Sequence, residues 1–192
     1  MPVDAYFCKD GRVLPKAFTW SNGYRYRVRI LDVQAGAMRK NVGCGTQYHI
    51  EAGGKKSFLF RFGDIWEMSF QDDIGAMPDT HLRYDVPDDV PTLDQRYDNP
   101  YKAQVEVFAH CGSLAYVEPV YFLWEDGRRF AVDDITGEVE KNHSAKAGIV
   151  GLCYPILVCG KKAMLYRSGD LWFMERKGNA RVLDVHGRLL SE

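Results

Sequence analysis

Five cations in the first third of the chain are the residues whose type and spacing best fit a binding site. Arg25, Arg27 and Arg29 occupy alternate positions of one predicted strand, and Lys55 and Lys56 follow a nearby turn. Alternate side chains of a strand project from one face, so the three guanidinium groups are expected to form a row. Such a row can follow a phosphate backbone. These five residues are the predicted binding site for nucleic acid or for an acidic protein partner.

The remaining polar residues predict neither a catalytic site nor a metal or cofactor site. His110 and Cys111 are adjacent, but neighbours on a strand point to opposite faces, whereas a Cys–His pair needs converging side chains. The sequence has no Cys-x-x-Cys pair, His-x-x-x-His pair or glycine-rich phosphate loop. The alternative hypothesis is a hydrolase or transferase whose site lies in a cleft between two halves of the chain, with His110, Cys111 and linker carboxylates.

Charge is balanced overall but unevenly distributed. The chain has 25 Lys and Arg against 26 Asp and Glu, whereas residues 1–70 carry a net charge of +5 and residues 71–102 a net charge of -5. An acidic segment tethered beside a basic row is expected to compete with an anionic ligand for that row. The other interpretation is an ordinary solvated face that the acidic segment neutralises.

Cysteine usage and hydropathy indicate where the protein works. The five cysteines are irregularly spaced and no secretion signal precedes them, so free thiols in the cytoplasm are expected. The longest apolar runs are far shorter than the roughly 18 residues of a membrane helix, and no membrane association is expected. The sequence indicates no oligomeric state.

The strands that position these residues belong to a repeated unit. Residues 15–28 match residues 119–132 at an offset of 104, and residues 45–68 match residues 151–174 at an offset of 106. The second pair shares 12 identities in 24 positions, where average residue usage gives about one or two. Four tryptophans occupy equivalent positions and are predicted to lie in the core. They are Trp20, Trp66, Trp124 and Trp172.

The turn residues predict an all-β fold of two tandem small antiparallel barrels or sandwiches. Asn22-Gly23 and Asp126-Gly127 lie between alternating aromatic runs, which is typical of tight hairpins. Long connections are predicted at 32–44 and 136–150, with one helical turn at 137–141. The predicted domains are a basic first repeat at 1–70, an acidic proline-containing linker at 71–102, and a second repeat with an extra C-terminal strand at 103–192.

The second copy resembles a short, uncharacterised bacterial β-domain family. Its members carry a Trp-acid-Asp-Gly-Arg hairpin, here Trp124 to Arg128, and end on Trp-Phe-aliphatic-Glu, here Trp172 to Glu175. The first copy matches less well, because Ser21-Asn22 replaces the acidic pair and Ser69 replaces Glu175. The resemblance implies a fold unit and a bacterial or mobile-element origin, and it implies no activity. A non-enzymatic interaction module is therefore the expected class of protein.

Overall fold

A computed structural model of the chain describes residues 1–39, 43–69, 101–144 and 148–176, and the described residues contain strands and no helix. The predicted all-β fold is confirmed. The strands are β1 (Val3–Phe7), β2 (Val13–Thr19), β3 (Arg25–Arg27), β4 (Arg29–Arg39), β5 (Gly43–Ala52), β6 (Lys55–Phe62), β7 (Ile65–Ser69), β8 (Lys102–Cys111), β9 (Val117–Leu123), β10 (Arg129–Ala131), β11 (Asp134–Ile135), β12 (Glu140–Ser144), β13 (Ile149–Val158), β14 (Lys161–Ser168) and β15 (Leu171–Glu175).

The described residues divide into two compact units, and neither unit is one continuous segment. The first unit combines residues 1–6 and 108–120 with the described part of 13–69. The second unit combines residues 7–12 and 101–107 with the described part of 121–176. The sequence-based bounds of the two repeats stay a prediction. Most of the predicted acidic linker and the predicted extra C-terminal strand lie outside the described residues.

Consecutive antiparallel strands build each unit. In the first unit β4-β5-β6-β7 form a four-stranded meander, and β1-β2-β3 form a second run. In the second unit the strand order is β11-β13-β14-β15-β8, with β12 also paired to β13 and β10 paired to β9. Neither of the two sheets formed by the described strands closes into a barrel. Of the two predicted closures, the barrel is therefore wrong for this part of the chain.

The core of the first unit lies on one face of β5, β6 and β7. Alternate residues of β5 point inward, so Tyr48 and Ile50 are buried, and Leu59 lies opposite Tyr48 on β6. Trp66 is 1% exposed, and its ring centroid lies 5.7 Å from that of Tyr48. The Tyr48 hydroxyl donates a 2.6 Å hydrogen bond to the carbonyl oxygen of Val13, which satisfies the polar end of the ring inside the core.

The second unit has the same local pairing at equivalent positions. Tyr154 lies opposite Leu165, and Arg167 lies opposite Trp172, as their counterparts do 106 positions earlier. Trp172 is 1% exposed and meets Phe7 edge-to-face at a centroid distance of 5.7 Å. The predicted core positions of Trp66 and Trp172 are confirmed. Superposition of the two whole copies stays a prediction.

A buried arginine recurs at equivalent positions of both units. The Arg61 guanidinium lies 5.7 Å from the ring centroid of Trp66 and pairs with Asp64 at 3.8 Å. In the second unit Arg167 lies 5.5 Å from the Trp172 ring and pairs with Asp170 at 3.7 Å. The repeated Arg, Asp and Trp identities therefore maintain a structural arrangement, in which each cation is packed against a ring and offset by a carboxylate.

Two sequence-based predictions about the connections are wrong. The segment 32–44 was expected to be a connection, but β4 runs through Arg39 and pairs along β5. The alternation of side chains between the two faces of β4 is interrupted by register shifts at 30–32 and 35–37. Such shifts are typical of β-bulges. The helical turn expected at 137–141 is absent from these described residues, where β12 begins at Glu140 and pairs with β13.

Gly151→Ala is expected to destabilise the second unit. A Cβ built on Gly151 would overlap the backbone carbonyl of Arg167 on the paired strand. The backbone of β14 cannot move aside without breaking its hydrogen bonds to β13. The expected loss is about 1 to 3 kcal/mol of unfolding free energy, measured by urea denaturation. Gly112→Ala is the control, because the nearest atom to its built Cβ is 3.6 Å away, an ordinary contact. Equal stability of the two variants would contradict this account.

Candidate functional site

The predicted row of arginines is divided between two strands. Arg25 and Arg27 lie on β3 and pair with β2, whereas Arg29 begins β4 and pairs with Glu51 of β5. Arg25 Nε donates a 2.8 Å hydrogen bond to Asp4 Oδ2, and Arg29 forms an ion pair with Glu51. Local carboxylates thus offset two of the three positive charges, while the Arg27 side chain is exposed.

Lys55 and Lys56, the other two predicted site residues, begin β6 directly after a tight turn. Gly54 in that turn has φ of +76°, which favours glycine. Both lysines are exposed. Their counterparts at an offset of 106 are Lys161 and Lys162, which begin β14 in the second unit.

His110 and Cys111 point to opposite faces of β8, as expected from their adjacency. Burial alternates along β8 and Cys111 is 1% exposed. His110 Nδ1 lies 2.9 Å from Asp4 Oδ1. In the described part of the chain the imidazole has no other hydrogen-bonded partner, so no nucleophile is aligned with it there. This arrangement orients an imidazole but does not assemble a nucleophile–base pair.

An open groove in the second unit brings aromatic and cationic side chains together. It has a volume of about 650 Å³, within the range of roughly 300 to 1,000 Å³ that is typical of ligand sites. The residues that line it come from the β9–β10 hairpin, from Thr136 directly after β11, from β13 and β14, and from the end of β15. Its aromatic side chains are Phe122, Trp124 and Phe130, and its cations are Arg128, Lys161 and Lys162. We call it the aromatic groove.

The β9–β10 hairpin fixes the aromatic wall of this groove. Phe122 and Phe130 lie opposite each other in the ladder and stack at a centroid distance of 5.5 Å with an interplanar angle of 20°. Gly127 has φ of +80° in the turn, and Asp126 Oδ1 accepts a 3.0 Å hydrogen bond from the Arg128 amide. Trp124 is only half-buried. The predicted core position is therefore wrong for Trp124, which lines the groove.

The cations lie on both hairpins that flank the groove. The Arg128 guanidinium is 5.6 Å from the Phe130 ring centroid and donates a 2.7 Å hydrogen bond to Asp126 Oδ2. Lys161 and Lys162 are exposed, and they lie opposite the last two residues of β13. The groove therefore has an apolar, aromatic wall. Asp126 offsets the charge of Arg128, so Lys161 and Lys162 contribute most of the positive charge of the rim.

One carboxylate also lines the aromatic groove. Glu175 ends β15, and its Oε1 accepts a 3.1 Å hydrogen bond from the Tyr166 hydroxyl. Burial, together with the neighbouring charge of Glu175, raises the pKa of Tyr166, so the phenol stays neutral and keeps its proton to donate. The hydrogen bond therefore holds the Glu175 carboxylate on the face of the sheet that carries Tyr166 and Phe173, opposite to the face of Met174.

A recess in the first unit has a different character. It has a volume of about 550 Å³ and is lined by Trp20, Trp66 and Glu67, among others, but by no lysine or arginine of the described residues. Trp20 is half-buried there, so its predicted core position is also wrong. Without lysine or arginine side chains around it among the described residues, this recess is less suited to an anionic ligand than the aromatic groove.

Comparison of the chain with models of protein families, with curated proteins and with solved structures finds no match. The resemblance to a short bacterial β-domain family stays a prediction. Within the described ranges no three His, Cys, Asp or Glu side chains are grouped to hold a metal ion, and no helix there is long and apolar enough to cross a membrane. All five cysteines are free thiols.

Proposed function

We propose that this chain is a non-enzymatic interaction module that binds single-stranded nucleic acid in the aromatic groove. One observation carries the proposal: three aromatic side chains and three cations line the same groove. Proteins that bind single strands combine a positive groove along the backbone with aromatic rings on which bases stack. A base on the wall would contribute about 1 to 3 kcal/mol, and the rim would contribute attraction that depends on salt.

The aromatic wall favours a single strand over a duplex and over an acidic protein. Bases in a duplex are stacked on each other, so their faces cannot reach Trp124 or Phe130 without unpairing. An acidic peptide would use the cations of the rim but would leave the aromatic faces without a planar partner. Free cysteines at all five positions fit a reducing compartment such as the cytoplasm.

The first unit is a weaker candidate for the main contact. Two of its three predicted arginines are paired with Asp4 and Glu51, so a phosphate would have to displace those carboxylates. Arg27, Lys55 and Lys56 remain exposed and attract a polyanion without fixing it. Within the described ranges, one feature favours the enzymatic alternative, the orientation of His110 by Asp4.

Matched charge reversals test where the strand binds. Binding of a fluorescein-labelled single-stranded RNA is measured by anisotropy at low salt, with Lys161→Glu/Lys162→Glu compared against Lys55→Glu/Lys56→Glu. Both variants change the total charge equally and at equivalent turns. The second-unit variant is expected to weaken binding about tenfold or more, because it reverses the rim of the groove. The first-unit variant is expected to have a much smaller effect.

Three results would contradict the proposal. A larger loss in Lys55→Glu/Lys56→Glu would place the site on the basic face predicted from the sequence. Competition by an acidic peptide at the same concentration as RNA would make the ligand a protein. Absence of RNA binding by the wild-type chain at micromolar concentration and low salt would remove nucleic acid altogether.

A further inference from the structure

A bidentate ion pair joins the tip of the β9–β10 hairpin to the end of β15. Arg176 Nε donates a 3.0 Å hydrogen bond to Glu125 Oε2, and Arg176 Nη2 donates a 2.5 Å hydrogen bond to Glu125 Oε1. Two parallel hydrogen bonds between a guanidinium group and a carboxylate fix the orientation of the two groups as well as their distance.

Both partners of this ion pair lie beside the aromatic groove. Glu125 directly follows Trp124, which lines the groove. Arg176 directly follows β15, and because alternate residues project from one face, it shares the face of Met174, another residue of the groove. The ion pair therefore connects the hairpin that bears the aromatic side chains to the sheet on the other side of the groove.

Backbone hydrogen bonds hold each end of the ion pair in place. In the hairpin, the Trp124 amide donates to the Arg128 carbonyl, and the Gly127 amide donates to the Trp124 carbonyl, each at 2.9 Å. At the other end, the Arg176 amide donates a 2.9 Å hydrogen bond to the Tyr101 carbonyl. The ion pair thus joins two ordered backbone segments and fixes the distance between them.

Resting on the proposed function, we infer that Glu125 and Arg176 are positioning residues, which hold Trp124 where a base of the bound strand stacks on it. Among the described strands β10 pairs with β9 alone, so the ladder holds the hairpin from one side. Without the ion pair, the hairpin tip would have to be ordered when RNA binds, and the cost of that ordering lowers affinity.

The first copy cannot form the same ion pair. Its sequence has Ser21 at the position equivalent to Glu125 and Phe70 at the position equivalent to Arg176. The alternative role for Arg176 is a direct contact with phosphate, in which case Glu125 would compete with the RNA for it. The two roles predict opposite effects of removing the Glu125 carboxylate.

Charge-reversal variants distinguish the two roles by the sign of the change in affinity for the fluorescein-labelled single-stranded RNA, measured by anisotropy. Glu125→Arg adds two positive charges, which alone would strengthen attraction to RNA, but it also repels Arg176. We expect it to weaken binding about three- to tenfold. Glu138→Arg is the matched control, because Glu138 is exposed and does not line the groove. It should strengthen binding slightly.

The exchanged variant Glu125→Arg/Arg176→Glu re-forms the ion pair and keeps the total charge. Its affinity is expected within about twofold of the wild type, although each single change weakens binding. Circular dichroism and urea denaturation verify the fold, and the midpoints should stay close to that of the wild type because both side chains are partly exposed. If a reversal variant does not fold, Glu125→Ala against Glu138→Ala makes the same comparison without introducing repulsion.

The outcomes separate this inference from the proposed function. Stronger binding by Glu125→Arg, to the same extent as by Glu138→Arg, overturns the positioning role and leaves the proposed function standing. Weak binding that persists in the folded exchanged variant also overturns the positioning role. Failure of the wild-type chain to bind RNA overturns both.

Discussion

Replacing Trp172 with alanine is expected to lower the free energy of unfolding by about 3 to 5 kcal/mol, the range for a large buried aromatic side chain. The indole is 1% exposed, and it packs against Phe7 and Tyr154 at centroid distances of 5.7 and 5.1 Å. The Arg167 guanidinium also loses the ring on which it rests. Because a small domain is stable by only about 5 to 15 kcal/mol, this variant is expected to lose much of its structure.

Two further variants test whether the loss of stability comes from the burial of Trp172 in the core. Trp172→Phe keeps most of the packing, and the indole Nε1 has no hydrogen-bond acceptor among the described residues, so a smaller loss is expected. Trp124→Ala removes a half-buried indole and should also cost less than Trp172→Ala. Urea denaturation followed by circular dichroism measures all three. Equal midpoints for Trp172→Ala and Trp124→Ala would contradict the assignment of Trp172 to the core.

Local turn chemistry was the part of the fold that could be predicted from the sequence. Gly23 and Gly127 have φ of +81° and +80°, as expected of tight hairpins at Asn-Gly and Asp-Gly. These turns depend on two adjacent residues, so the sequence carries the whole signal. The extent of β4 could not be predicted in the same way, because two register shifts in it interrupt the period of two.

The burial of one face of a strand was less predictable from the sequence, because it depends on which other segments pack against that face. Phe18 and Tyr24 both belong to the aromatic runs that flank the Asn22-Gly23 turn, and yet Phe18 is 5% exposed whereas Tyr24 is 69% exposed. Tyr24 lies at the hairpin turn, where its carbonyl accepts a hydrogen bond from the Trp20 amide. Likewise, nothing near Arg25 or Arg29 in sequence indicates their pairing with Asp4 and Glu51, each more than 20 positions away.

The aromatic groove could not be predicted from the sequence, because it also depends on contacts between distant segments. Its cations lie in the second copy, whose net charge is close to zero, whereas the excess of positive charge lies in the first copy. A local signal existed in the interleaving of Trp124, Arg128 and Phe130 within one hairpin. Lys161 and Lys162 line the same groove as that hairpin, although they lie about 30 positions further along the chain, and no local pattern indicates that the two segments come together.

The second large effect is expected from the aromatic wall. Trp124→Ala and Phe130→Ala each remove a stacking surface and should weaken binding of a single-stranded RNA by about 1 to 3 kcal/mol per lost base contact, or roughly 5- to 150-fold. Neither side chain is fully buried, so both variants should keep their fold, which circular dichroism would verify. The matched controls are Trp20→Ala and Tyr26→Ala, the same changes at equivalent positions of the first unit.

Anisotropy titration of these four variants with the fluorescein-labelled single-stranded RNA is the most direct test of whether the aromatic groove holds a single strand. The expected result is a loss of about fivefold or more in each second-unit variant, with the two first-unit variants within about twofold of the wild type. Equal losses in both units, or a loss confined to Trp20→Ala and Tyr26→Ala, would contradict the assignment of the binding site to the second unit.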